Sequence, residues 1–124
     1  MRRIACLTTF AACLATAAPA AAEPRISVAP NPADRDETQT VKGRGWPVIE
    51  FCKRRVRISL RSDQNAVRLG LAPVRISGRF RFEWTADDAG VGPGEWRLVA
   101  RMRCESGNDG SPVFVRRGKN VRIR

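Results

Sequence analysis

From Arg55 to Arg61 the chain alternates strictly: Val56, Ile58 and Leu60 fall in one phase, Arg55, Arg57, Ser59 and Arg61 in the other. A period of two sends successive side chains to opposite sides of an extended backbone, so this stretch predicts a strand over 55–62 with one oily and one basic face. Cys52 precedes it in the apolar phase. A second stretch, 95–104, repeats the pattern, with Trp96, Leu98, Ala100, Met102 and Cys104 in one phase and Arg97, Val99, Arg101 and Arg103 in the other. These two strands are expected side by side and antiparallel in one sheet, with Cys52 opening the first and Cys104 closing the second.

The same period recurs along most of the chain. Ile26 and Val28 alternate within 25–29, which Pro30-Asn31-Pro32 ends, as expected of a strand at a sheet edge. Thr40, Val41 and Lys42 lie in a strand over 38–46 that finishes in the glycine-marked bend Gly43-Arg44-Gly45-Trp46-Pro47. The turn 62–65 leads into 66–76, one or two short strands broken at Pro73. In 79–85 Phe80, Phe82 and Trp84 face inward and Arg79, Arg81, Glu83 and Thr85 outward, so three large rings supply much of a core. The glycine-rich stretch 87–94 reads as a loop and 106–110 as a hairpin turn. Two last strands, 113–115 and 120–124, are expected around a bulge at Gly118. No stretch of ten or more residues carries a helical period.

The N-terminus differs in kind. Arg2 and Arg3, an apolar run over 4–18 and the small residues Ala20 and Ala22 read as a secretory signal peptide, 1–22, cleaved after Ala22. The run is shorter than the ~20 residues that span a bilayer, which argues against a membrane anchor. Phe10-Ala11-Ala12-Cys13 is a poor lipid-attachment site, and Cys13 reads as an ordinary apolar residue of the signal. The remainder, 23–124, is enough for one domain with one core. Cys6 and Cys13 leave with the signal, so Cys52 and Cys104 are the pair retained, and in an oxidising compartment they are expected to form a disulfide. Closing that loop stabilises a fold by about 4 kcal/mol in the chain-entropy model. Two cysteines without any histidine do not make a zinc site. The expected location is therefore periplasmic or secreted.

Short strands with turns every 8–12 residues describe a β-sandwich, with a barrel as the alternative. Ile-Ser-Val-Ala-Pro-Asn-Pro at 26–32, Thr-Val-Lys-Gly-Arg-Gly-Trp-Pro at 40–47, Ser-Gly-Arg-Phe at 77–80 and Gly-Pro-Gly-Glu-Trp-Arg-Leu-Val-Ala at 92–100 resemble, in that order, bacterial immunoglobulin-like domains of the IPT/TIG kind, and more loosely the neocarzinostatin-type sandwich. The resemblance implies an all-β fold, a single immunoglobulin-like β-sandwich of about seven strands after the signal peptide, and a secreted setting. It implies no activity; such domains commonly serve adhesion, scaffolding or glycan association. Antibody-type domains place their buried tryptophan between two cysteines, whereas here Trp46 precedes Cys52.

Catalytic patterns are absent. A hydrolase triad needs a base that titrates near neutral pH, most often histidine, and the chain contains none. Asp87-Asp88 reads as an exposed turn pair rather than the carboxylates of a glycosidase, and Asp109 before Gly110 as turn chemistry. The loops hold too few convergent oxygens for calcium, no glycine motif opens a helix that would cradle phosphate, and no cofactor or small-molecule substrate is implied. Trp84 and Trp96 fall in inward phases; Trp46, in its bend, is the tryptophan placed for exposure.

Charge carries the remaining signal. The chain is +11, and +9 without Arg2 and Arg3, with 23 basic residues of which only Lys42, Lys53 and Lys119 are lysine. Such an excess favours acidic partners, although biased genomic composition also yields arginine. If the strands over 55–62 and 95–104 are neighbours, Arg55, Arg57, Arg61, Arg97, Arg101 and Arg103 share one side of a sheet, and the last strand adds Arg122 and Arg124. A flat cationic sheet suits an extended polyanion such as lipopolysaccharide, acidic polysaccharide or extracellular nucleic acid better than a small ligand, which needs a concave pocket. An acidic partner protein of the cell envelope is the second reading, and a solvated face with bulk counterions the bland one.

Overall fold

The computed structural model describes residues 23–124; the signal-peptide reading of 1–22, with Cys6 and Cys13, lies outside the described residues. Seven strands, β1 (Arg25–Ala29), β2 (Thr38–Arg44), β3 (Arg55–Arg61), β4 (Ala66–Pro73), β5 (Phe80–Thr85), β6 (Gly94–Glu105) and β7 (Pro112–Ile123), alternate with turns and one helical turn, α1 (Ala86–Ala89). They form two antiparallel sheets, ordered β1-β2-β5 and β4-β3-β6-β7. The fold is all-β, as the alternation requires.

One buried cluster draws on both sheets, with Val28, Val41, Phe80 and Trp84 from the first meeting Val56, Ile58, Leu60, Leu98, Ala100 and Met102 from the second. These are the apolar phases identified in the sequence. Each fully buried side chain of this size contributes about 1.5–3 kcal/mol. Phe82 is partly buried against the same core. Gly43 lies beneath the ring of Phe80, and a Cβ there would overlap it. Gly43→Ala therefore forces the ring out of a packed site rather than filling a gap.

Several local expectations are corrected. Trp46 is not exposed: at 2% accessibility it lies in the core. Strand β2 ends at Arg44, and Gly45, with φ of 73°, turns the chain so that the Trp46 indole packs edge-on to Phe80 at 5.6 Å. The Trp46 backbone N–H donates to the Gly78 carbonyl, and its Nε1–H to the Arg25 carbonyl. The bend meant to expose this ring is what buries it. Gly118 marks no bulge, since β7 is one strand paired with β6 in unbroken register from Gly94↔Ile123 to Glu105↔Pro112. The irregularity falls instead in β4, where the pairing with β3 shifts between Ile58 and Ser59. The loop expected over 87–94 opens with α1, capped by the Thr85 hydroxyl accepting from the Asp88 N–H and stopped by Gly90 at φ of 69°.

Cys52 and Cys104 form a disulfide between β-bridged neighbours. It ties the ends of adjacent antiparallel strands, as the register argument anticipated, but Cys52 precedes β3, which starts at Arg55. Arg57 pairs with Arg101 while Cys52 pairs with Cys104. Five steps of chain thus face three, and two extra residues are pushed out of the ladder between Cys52 and Arg57. The opposite end of the sheet is closed without a covalent bond. Asn31 accepts from the Arg122 N–H and donates to the Asn120 carbonyl, and Ala33 bridges to Ile123.

Candidate anion-binding face

The outward phases of β3 and β6 lie on the solvent side of the four-stranded sheet, and pairing decides who stands beside whom. Leu71, Arg57, Arg101 and Arg116 form one row across all four strands. Three guanidinium groups are therefore direct cross-strand neighbours, an arrangement that costs stability unless the charge is met. One row along, Arg68, Ser59, Val99 and Gly118 lie side by side. Arg57, Arg61, Arg68, Arg101 and Arg116 surround Ser59 and Val99 in a shallow hollow of about 270 Å³. Val99 belongs to the outward phase yet is only 7% exposed, among the arginines that border the same hollow.

Arg101 is at the centre of this cluster. Its pKa is lowered first by desolvation and then by the positive charges of Arg57, Arg116, Arg61 and Arg68. The group stays protonated in water, so the shift means that its charge is unfavourably placed. Its guanidinium carbon also lies 4.5 Å from the centre of the Phe114 ring, a cation–π contact of about 0.5–1 kcal/mol at an exposed site.

Beyond Arg101 lies a second hollow, of about 320 Å³. Lys53, Arg55, Arg57, Arg101 and Arg103 surround it, with Leu71 and Phe114 as its apolar part. Leu71 is 51% and Phe114 42% exposed.

At the other end of the same face two of the charges are ion-paired, although Arg97 stands opposite Arg61 there. Arg97 donates to Asn120 Oδ1 and lies over Gly118, where a Cβ would come within 2.6 Å of its guanidinium. The missing side chain makes room for that arm. Arg122 pairs with Glu95 at 3.4 Å and Arg124 with Asp34 at 3.1 Å. The other ion pairs among the described residues are Arg35–Asp87 and Arg81–Glu83, so none involves Arg55, Arg57, Arg61, Arg68, Arg101, Arg103 or Arg116.

Of the eight arginines expected on this face, Arg55, Arg57, Arg61, Arg101 and Arg103 line the two hollows, Arg97 is held by Asn120, and Arg122 and Arg124 are ion-paired at the far end. Arg68 and Arg116 join the cluster although the sequence reading passed them over. The split of the last strand at Gly118 hid the phase of Arg116, and the β4 irregularity hid that of Arg68. The aspartates stand apart: Asp87 and Asp88 are exposed on α1, and Asp109 accepts from both the N–H and hydroxyl of Ser111, which hold its carboxyl below the usual range. Among the described residues no group of three or more His, Cys, Asp and Glu could hold a metal ion, and no helix is long and apolar enough to cross a membrane. Comparisons with protein-family models, with curated proteins and with solved structures found no match.

Proposed function

We propose that this protein is an exported, non-catalytic immunoglobulin-like module that presents the open part of its four-stranded sheet to an anionic polymer of the cell envelope or its surroundings: lipopolysaccharide, acidic glycan or nucleic acid. One observation carries the reading, the cross-strand row Arg57–Arg101–Arg116 with no carboxylate paired to it. A folded domain keeps such a row at a cost, and an anion laid across it turns repulsion into several charge-assisted hydrogen bonds. The hollows are shallow and continuous along the strands, which suits a chain rather than a compact ligand. The strand order supports the immunoglobulin-like reading, since β1-β2-β5 against β4-β3-β6-β7 is a two-sheet Greek-key arrangement of about one hundred residues. The disulfide supports a periplasmic or secreted setting.

Binding at low ionic strength to heparin, DNA and lipopolysaccharide tests the proposal. The unsubstituted protein is expected to bind at least one of them, and Arg57→Glu with Arg101→Glu to weaken that binding. Affinity and stoichiometry both unchanged by the double reversal would sink it. Contacts to about five phosphates give a slope of log affinity against log salt of about −3.5 on single strands and about −4.5 on duplex DNA.

A second reading, docking of an acidic partner protein, is favoured by exposed Leu71 and Phe114 within the arginine cluster, since aromatic and arginine residues are enriched at protein interfaces. It predicts that Phe114→Ala weakens binding to that partner as much as Arg101→Ala does. Polymer binding predicts a smaller effect from the ring.

A further inference from the structure

The opposite side of the sandwich is also cationic. On the outer face of the β1-β2-β5 sheet, Arg25 stands opposite Arg44, and Lys42 opposite Arg81. Arg79 lies just before β5, and Arg75 is bound back to it through the turn, its N–H donating to the Arg79 carbonyl. Arg25, Lys42, Arg44, Arg75, Arg79 and Arg81 border an open hollow of about 640 Å³. Glu83, bound to Arg81 at 2.8 Å, is the one carboxylate ion-paired to any of them among the described residues. Both direct pairs, Arg25–Arg44 and Lys42–Arg81, join like charges and cost stability by the same rule as the row on the other sheet.

The two clusters share no residue. They occupy the outer faces of two sheets whose inner faces meet in one core, so they point away from each other. A polymer bound on one face leaves the other exposed and positive. From this we infer that the outer face of the three-stranded sheet is a second site for a phosphate-bearing polymer, and that one molecule of this protein bridges two such chains. The inference rests on the reading of the four-stranded sheet as a polyanion site. Phosphate is the favoured anion because five of the six cations here are arginine, whose planar fork engages two phosphate oxygens at once, whereas lysine acts as a point charge. Two faces that cannot both grip one short chain convert simple binding into cross-linking.

Inorganic polyphosphate is the probe. A chain of about six phosphates is too short to pass round a sandwich whose sheets alone lie about 10 Å apart, so calorimetry counts sites directly. The expected stoichiometry is two short chains per protein. Long-chain polyphosphate is expected to produce strong light scattering near charge balance that disperses in salt. Arg44→Ser with Arg79→Ser removes charge from one face, and Arg57→Ser with Arg101→Ser from the other. Each pair is expected to leave one short chain bound and to lower long-chain scattering by about tenfold, with the circular dichroism spectrum and thermal midpoint confirming that the variants fold.

A stoichiometry of one, abolished by the Arg57/Arg101 pair and untouched by the Arg44/Arg79 pair, overturns the second site and leaves the first standing. No binding of polyphosphate by the unsubstituted protein overturns the phosphate inference; if heparin, DNA and lipopolysaccharide also fail to bind, the polyanion reading falls with it. Cross-linking of dextran sulfate without cross-linking of polyphosphate overturns the choice of phosphate.

Discussion

The two ends of β6 carry the same residue type in the same phase and meet different fates. At one end Arg97 is bound to Asn120, and neighbouring Glu95 holds Arg122. At the other, Arg101 stands between Arg57 and Arg116, and Arg103 stands opposite Phe114. The difference comes from β7, which supplies a polar partner at one end and an arginine and a ring at the other. Arginine content is thus a poor guide to a binding surface, and the cross-strand neighbour a better one. The ends also differ in closure: Asn31 and Ala33 tie the end near Arg122 with hydrogen bonds, while the disulfide ties the open end, where two residues have left the ladder.

The contrast in closure predicts the largest effect. Cys52→Ala with Cys104→Ala should lower unfolding free energy by about 2–5 kcal/mol, measured by denaturant titration; a loss below about 1 kcal/mol would mean that the open end is held by packing alone. Next is the contrast in charge. Arg57→Glu with Arg101→Glu is expected to weaken polyanion binding at the four-stranded sheet about 100-fold at low salt, and Arg122→Glu with Arg124→Glu less than tenfold, since those arginines already have partners. Equal losses in the two pairs would erase the distinction between the ends and leave only net charge.

A smaller effect is expected at the end near Arg122. Asn31→Ala removes two hydrogen bonds to β7 and should cost about 1–2 kcal/mol, read as a lower denaturation midpoint without change in polyanion affinity. The smallest effect is the most pointed, because its sign differs between the ends. Arg116→Gln relieves the repulsion with Arg101 and should raise stability by a few tenths of a kcal/mol. Arg122→Gln gives up an exposed ion pair and should lower stability by a similar amount. Comparing thermal midpoints at low and high salt checks the assignment, because screening should shrink both differences.

What was legible from sequence follows from what a period of two encodes. It is a local property of the chain, so most of the strands, and the outward phase of Arg55, Arg57, Arg61, Arg97, Arg101 and Arg103 on β3 and β6, could be read residue by residue. The disulfide was legible by counting, because Cys52 and Cys104 are the two cysteines outside the N-terminal apolar run. Register is not local. That Arg57, Arg101 and Arg116 form one row, that Gly118 yields its space to Arg97, and that Arg122 and Arg124 find Glu95 and Asp34 depend on how strands slide past one another. Hydrogen bonding and core packing decide that together. Trp46 shows the same limit in the core: its bend was visible in Gly45 and Pro47, but the direction of the turn depended on the Phe80 ring and the Gly78 carbonyl, both distant in sequence. The sequence by itself determined a two-faced β chain with a basic exterior; only the tertiary structure decided which of those charges stand alone, because a charge is neutralised by whatever lies beside it in space.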